Sequence, residues 1–385
     1  MGRSRCWSTG SRRAGPTPPP TSSCSQSWYH CGYVDSRERR EMYVATGIAG
    51  QLHEVAERAR RAEGLGYDML AAEEVAHEPF LRVTLAAEHT ERARLTTSIA
   101  IAFPRAPYIT ASMCWALQRF SGGRFILGLG TQVKGRSERQ FSSAWAPPGP
   151  RLRDYIRCMR AIWDAWQNDA PANYEGEFYR FTLLNPPSSP GPNEHAKIDV
   201  VISAVNPFNA RLAGEECDGI AIHGFSTFRY TREVLIPIVV AGAERVGRDP
   251  STLHFRGGGF VVTGRDEEEL SRARENARRR LSYYGSTRSY AKVMGLHGWV
   301  DEAAHLHRLS VEGKWDEMVP TVTDEMLDEF CVIGTWDELP ARMREKYAGI
   351  NTEVSFGAQA SNPDEEAQIK EIIAELKTIP TVGEA

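Results

Sequence analysis

The chain has 385 residues, of which 41% are hydrophobic and 25% charged, an ordinary globular composition with material for a large core. Mean hydropathy is −0.42, and no apolar run approaches the roughly 20 residues a membrane helix needs, so a soluble protein is expected. The formal net charge of −4 leaves no basic field to hold nucleic acid, and the expected partner is a small molecule.

Residues 1–41 differ from the rest. Seven arginines against three acids give this segment a local charge of +4, and it holds a Pro18-Pro19-Pro20 run and many serines without hydrophobic periodicity. Such a segment cannot bury enough surface to offset its chain entropy, so a disordered extension is expected. It has no apolar stretch of signal-peptide length, and Ser11-Arg12-Arg13 therefore does not read as an export signal. Met42 directly precedes the first strand-like run, and translation is expected to start there naturally. Cys6, Cys24 and Cys31 fall in the extension, while Cys114, Cys158, Cys217 and Cys331 are scattered without C-x-x-C spacing. Neither a disulfide framework nor a zinc site is indicated, and isolated thiols of a cytoplasmic protein are expected.

From residue 42 onward strands and helices alternate, and residues 42–385 read as one domain. A β-like run at 43–47 is followed by helical spacing of Leu52, Val55, Ala56, Ala59 and Ala62 up to Gly64. The second strand is expected at 67–72 with a helix at 79–89, and the third at 95–102 with a helix at 107–120; Pro79 and Pro107 suit first helical turns. The fourth spans 125–129, then comes a long loop and an amphipathic helix at 152–166. The fifth (199–203) and sixth (219–222) precede helices at 207–216 and 231–246. A seventh run at 255–262, helix at 267–284 and more helix between 300 and 345 lead to an eighth unit, 353–356 with a terminal helix at 364–377. Eight βα units predict a closed (β/α)8 barrel. An open doubly wound sheet would want a dinucleotide fingerprint at its first turn. The nearest candidate, Gly128-Leu129-Gly130-Thr131-Gln132-Val133, lies in the fourth unit and ends on Val133 where glycine or alanine is required. Two glycines at a strand mouth still allow backbone N–H groups close to a phosphate or carboxylate, or simply make a tight turn.

Gly64-x-Gly66-Tyr67-Asp68, Ser121-Gly122-Gly123-Arg124-Phe125 running on to Gly128-Leu129-Gly130-Thr131, Asp218-Gly219, and Val246-Gly247-Arg248-Asp249-Pro250 form an ordered set. Together they resemble the bacterial luciferase-like monooxygenase superfamily, in particular its deazaflavin (coenzyme F-420)-dependent oxidoreductase branch, across 42–380. The resemblance implies a (β/α)8 barrel with insertions, here at 132–151 and 280–329. It also implies a homodimer and hydride exchange between reduced coenzyme F-420 and a small organic substrate. FMN-dependent monooxygenation, with O2 as co-substrate, is the alternative, and a barrel that binds a flavin without catalysis is the alternative of another class.

Barrel chemistry collects at the C-terminal ends of the strands. The resemblance places Ser98-Ile99 where deazaflavin enzymes carry a bulge with a non-prolyl cis peptide behind the coenzyme ring. It places Gly130-Thr131-Gln132 near the phosphate-bearing tail and Ser203-Ala204-Val205-Asn206 in a second cofactor-lining segment. Asn206 before Pro207 equally suits a helix cap. After strand six, His223, Gly224 and Thr227 are candidates for cofactor binding. Several family dehydrogenases carry Asp-His after strand two, and this chain has Glu74-Val75 there. Glu74 is therefore the expected acid/base, provided burial brings its pKa toward neutrality. Glu73 and His77 are expected near the substrate or a lid. No metal is expected, since His305 and His307 stand two apart on a predicted helix and do not share a face.

Overall fold

Eight short runs of small and branched apolar residues pair in parallel. They are β1 (Tyr43–Gly47), β2 (Met69–Ala72), β3 (Arg94–Thr97), β4 (Phe125–Gly130), β5 (Asp199–Ala204), β6 (Gly219–Ile222), β7 (His254–Gly257) and β8 (Glu353–Ser355). Neighbours in sequence are neighbours in the sheet, and β8 returns to β1 with Tyr43 opposite Glu353, so the barrel closes. This is the TIM barrel expected from the alternation. The computed structural model describes residues 41–383, which belong to one compact unit. The extension expected to be disordered, residues 1–41, lies outside them but for Glu41.

The connecting helices follow their sequence signals. They are α1 (Val55–Leu65), α2 (Pro79–Glu88), α3 (Pro107–Phe120), α4 (Pro148–Asn168), α5 (Pro207–Glu216), α6 (Ile236–Arg245), α7 (Glu267–Gly285), α8 (Leu339–Tyr347) and α9 (Pro363–Leu376). Proline occupies the first turn of seven of them, where its missing N–H would have no partner anyway. Apolar side chains on the outer face of the barrel and the inner face of the helices make one continuous core, including Trp115, Tyr155 and Phe255. Inside the barrel a second, small cluster of Ala45, Met69, Ile126, Val201 and Ala221 forms a plug.

Two strands differ from expectation. The third breaks after Thr97, the Ser98–Ile99 peptide bond is cis, and Ala100–Ile101 resumes pairing with β4. The seventh divides at Gly257-Gly258-Gly259, whose φ angles of 81°, 81° and 68° are open to residues without a Cβ. Beyond that turn, Phe260–Gly264 leaves the barrel and pairs in parallel with Cys331–Thr335. The first expected insertion carries a short helix, Lys134–Arg139, and further on a hairpin pairs Tyr174–Glu175 with Arg180–Phe181. The Asp154 carboxylate pins that hairpin, accepting from the Tyr174 hydroxyl and from Tyr179 N at 3.0 Å. The second insertion builds helices including Val300–Val311 against α7. Among the described residues no helix is long and apolar enough to cross a membrane, no cluster of three or more His, Cys, Asp or Glu could hold a metal ion, and the four cysteines are free and buried.

Candidate active site

Strand parity decides what faces the mouth. Because Ala45, Met69, Ile126, Val201 and Ala221 point inward, the positions two residues on also point inward. Those positions are Gly47, Ala71, Gly128, Ser203 and His223, with Gly130 beyond Gly128. Small residues at these positions put little side-chain bulk at the C-terminal ends of the strands, where barrel chemistry collects. Ile99, half-buried, lies on the plug and supplies its apolar floor. Gly130 is required beside it, since a Cβ there would come within 2.4 Å of Ile99 Cδ1. Ser98, Thr131 and Ser203 are half-buried around that floor.

Glu74 does not fit the acid/base role expected of it. Its Oε1 accepts from Arg105 Nη2 at 2.9 Å, and its Oε2 accepts from Arg105 Nη1 at 2.9 Å and from the Ile101 N–H at 2.7 Å. Both oxygens are committed to a permanent cation and a backbone donor, with side chains only 12% and 16% exposed. Arg105 also donates to the Ile101 carbonyl and to Glu78, so the pair ties the end of β2 to the chain beyond the cis bond. Glu73, next in line after the inward Ala71, is exposed and makes no hydrogen bond or ion pair among the described residues. His77 is exposed as well.

The other expected residues divide between the mouth and the scaffold. Gln132 takes φ 59°, and its side-chain oxygen accepts from Val133 N at 2.9 Å. Ala204 is 2% exposed on the outer face of β5 and packs in the helix-side core, so it does not line the mouth. The Val205 carbonyl accepts from the Tyr230 hydroxyl at 3.1 Å. Asn206 is the N-cap of α5, its Oδ1 accepting from Asn209 N at 3.0 Å. Thr227 is fully buried, accepts from Tyr230 N at 3.0 Å and shares a 2.8 Å hydrogen bond with His297 Nε2. Its hydroxyl is committed to the scaffold. Gly224 lies against the Phe260 ring.

His223 stands at the inward end of β6. The Phe225 N–H donates to its Nδ1 at 2.9 Å, which fixes the single proton of the neutral ring on Nε2. The ring stacks on Tyr290 (centroids 4.9 Å, 25°) and meets Tyr284 edge-on at 4.9 Å. Burial, aided by the nearby Arg280 cation, lowers its pKa to about 4.

Sequence reasoning missed several residues around this site. Arg256 and Glu353 face each other inside the barrel at 3.9 Å, with Arg256 Nη1 donating to Thr96 Oγ1 at 3.1 Å. Burial lowers the Arg256 pKa and raises that of Glu353. Parity within the seventh strand places Arg256 inward, the one signal that could have found it. Arg151 donates to the Tyr179 hydroxyl and the Ala144 carbonyl at 2.8 Å each and covers the Phe103 ring at 4.4 Å, clamping the long loop after β4. A cleft of about 400 Å³ lined by Arg119, Asn193 and His195 opens at the opposite end of the barrel, away from the mouth.

An apolar floor below small, partly polar neighbours suits a planar ring laid across the barrel, and Ile99, Ser98, Gly130, Thr131 and Ser203 are the residues that would hold one. The fold defines the class: a (β/α)8 barrel with small residues above an apolar plug. The chain belongs to the luciferase-like monooxygenase family, whose family model matches residues 30–352. An uncharacterized protein of Mycobacterium tuberculosis is 40% identical over 311 residues, covering 81% of this chain and 92% of its own. A 5,10-methylenetetrahydromethanopterin reductase of Archaeoglobus fulgidus is 26% identical over 304 residues, 77% of this chain and 86% of that one. Among solved structures, the coenzyme F-420-dependent tetrahydromethanopterin reductase of Methanopyrus kandleri aligns with a TM-score of 0.68 at 18% identity, covering 89% of this chain and 98% of that chain.

Proposed function

We propose that this protein is an oxidoreductase that exchanges hydride between coenzyme F-420 and a small organic substrate at the C-terminal face of the barrel. The observation that carries the reading is the floor: Ile99 lying on the inner plug beside Gly130, under a mouth of small residues. The names of the reductases it resembles in sequence and in fold support the same chemistry. The coenzyme, when bound, supplies the hydride. The chain's part is to hold the ring on Ile99, place substrate above it and exclude water, with the Arg151-clamped loop and the second insertion as walls. Glu74 then acts through position, holding the segment from Ile101 to Arg105 against β2. A homodimer, the commonest assembly of soluble chains, and a cytoplasmic location go with this reading.

FMN-dependent monooxygenation is the second reading, favoured by the name of the family. Titration of the purified protein with coenzyme F-420 and, separately, FMN, followed by absorbance and tryptophan fluorescence, separates the two. Saturable F-420 binding without FMN binding is expected. A preference for FMN would overturn the proposal, and binding of neither would leave a barrel without this chemistry.

A further inference from the structure

His223 has one polar atom to spare. Its Nδ1 is engaged by the Phe225 N–H, and its ring is held between Tyr290 and Tyr284. Nε2, which therefore carries the proton, makes no hydrogen bond among the described residues and is not one of the fully buried polar atoms left without a partner, so it is not sealed in the core. The residue is the top inward position of β6, on the parity of Ala221 in the plug. Arg280 adds a second feature: a cation laid over the Phe260 ring at 4.4 Å, without an ion pair, in the same aromatic group. A fixed neutral N–H within the electrostatic influence of an exposed, unpaired cation favours an oxygen atom that becomes more negative.

We propose that His223 Nε2–H is the hydrogen-bond donor to the carbonyl oxygen of the substrate, and that the substrates of this protein are carbonyl compounds. This rests on the hydride-transfer reading above. As hydride bonds to the carbonyl carbon, the C=O π pair moves onto oxygen, where the Nε2–H and the Arg280 charge stabilise it. The proton that completes the alcohol comes from water, because His223 has no acidic proton to give at neutral pH and both Glu74 oxygens are engaged.

The test uses the full chain labelled with 15N in its imidazole rings, and cyclohexanone as probe, with methylcyclohexane as the control of similar shape. Cyclohexanone, with and without oxidised coenzyme F-420, is expected to move the His223 Nε2–H resonance, and methylcyclohexane is not. His223→Phe keeps an aromatic ring and removes the donor. It is expected to weaken cyclohexanone binding about fivefold to tenfold while leaving F-420 affinity within about twofold. His223→Gln, which returns an N–H, should recover part of the loss. If His223→Phe instead weakens F-420 and spares cyclohexanone, His223 belongs to the coenzyme and the proposal falls; a resonance indifferent to the ketone sinks it equally. If unaltered protein binds no F-420 while the ketone still moves the resonance and His223→Phe abolishes binding, the oxygen site stands and the coenzyme reading falls.

Discussion

At the residue scale, adjacent glutamates have opposite fates because one position changes the face. Glu74 turns to Arg105 and Glu73 stays free at the mouth. Glu74→Gln removes a largely buried charge partner and should cost about 2 to 4 kcal/mol, read as a lower thermal midpoint and a loosened 101–105 segment. Glu73→Gln should leave stability within about 0.5 kcal/mol. Equal thermal losses in both variants would contradict the assignment. His223 makes a prediction of opposite form. Its folded pKa, about 4, lies below the ordinary value of 6.5, so the unfolded chain binds more protons between those values. Its contribution to stability is therefore complete above pH 6.5 and is lost as pH falls toward 4. The groups set against it are Arg280, Tyr284 and Tyr290. Imidazole NMR should show a neutral ring from about pH 5 upward, and a chemical unfolding series in His223→Phe should lack that part of the acid loss.

At the element scale, the barrel was legible because strands covered on both faces read as short apolar runs between helical periods. Element boundaries were less so, since hydrophobicity is continuous through two breaks. Residues 95–102 give no sign that pairing stops at Thr97 and resumes at Ala100. Residues 255–262 hide a change of sheet at three glycines, although Gly257-Gly258-Gly259 was the visible clue. Side-chain partners were not legible at all, because Arg105 meets Glu74 across 31 positions of sequence. Thr227 illustrates the same limit: its place after strand six suggested ligand contact, yet backbone N–H groups at a helix start claim its hydroxyl first. Two element-level tests follow. In Gly130→Ala the new Cβ collides with the far end of a flexible side chain, so the barrel should fold and Ile99 should be displaced into the mouth. Coenzyme affinity is then expected to fall about tenfold with a small thermal loss; unaltered affinity would show that Ile99 is not the floor. Arg151→Ala frees the Ala144 carbonyl and the Tyr179 hydroxyl together. Amide exchange should rise in 132–147 and in the hairpin while the barrel strands stay protected.

At the scale of the whole molecule, the two ends of the barrel divide labour. The mouth is built from glycine, alanine and serine and keeps polar atoms open, whereas the opposite end is bound by charge. Asp199, at the start of β5, faces His254 Nε2 at 3.4 Å and Lys197 Nζ at 3.1 Å. Below the same strands Asp218 receives the Val200 N–H at 2.9 Å and lies near Arg160 and Arg248. Burial alone would raise the Asp199 pKa, but the His254 hydrogen bond and the Lys197 charge outweigh it and bring it below the ordinary value of 3.8. A depressed carboxylate contributes stability that is complete above its unfolded pKa and is lost as pH falls through its folded one. Acid should therefore loosen the end of the barrel that Asp199 holds. Asp199→Asn should lower stability by about 2 kcal/mol at neutral pH, flatten its fall below pH 4, and leave coenzyme affinity unchanged, as urea unfolding at stepped pH and a fluorescence titration would read. A variant that lost coenzyme affinity as well would show that the two ends are coupled through the plug of Ala45, Met69, Ile126, Val201 and Ala221.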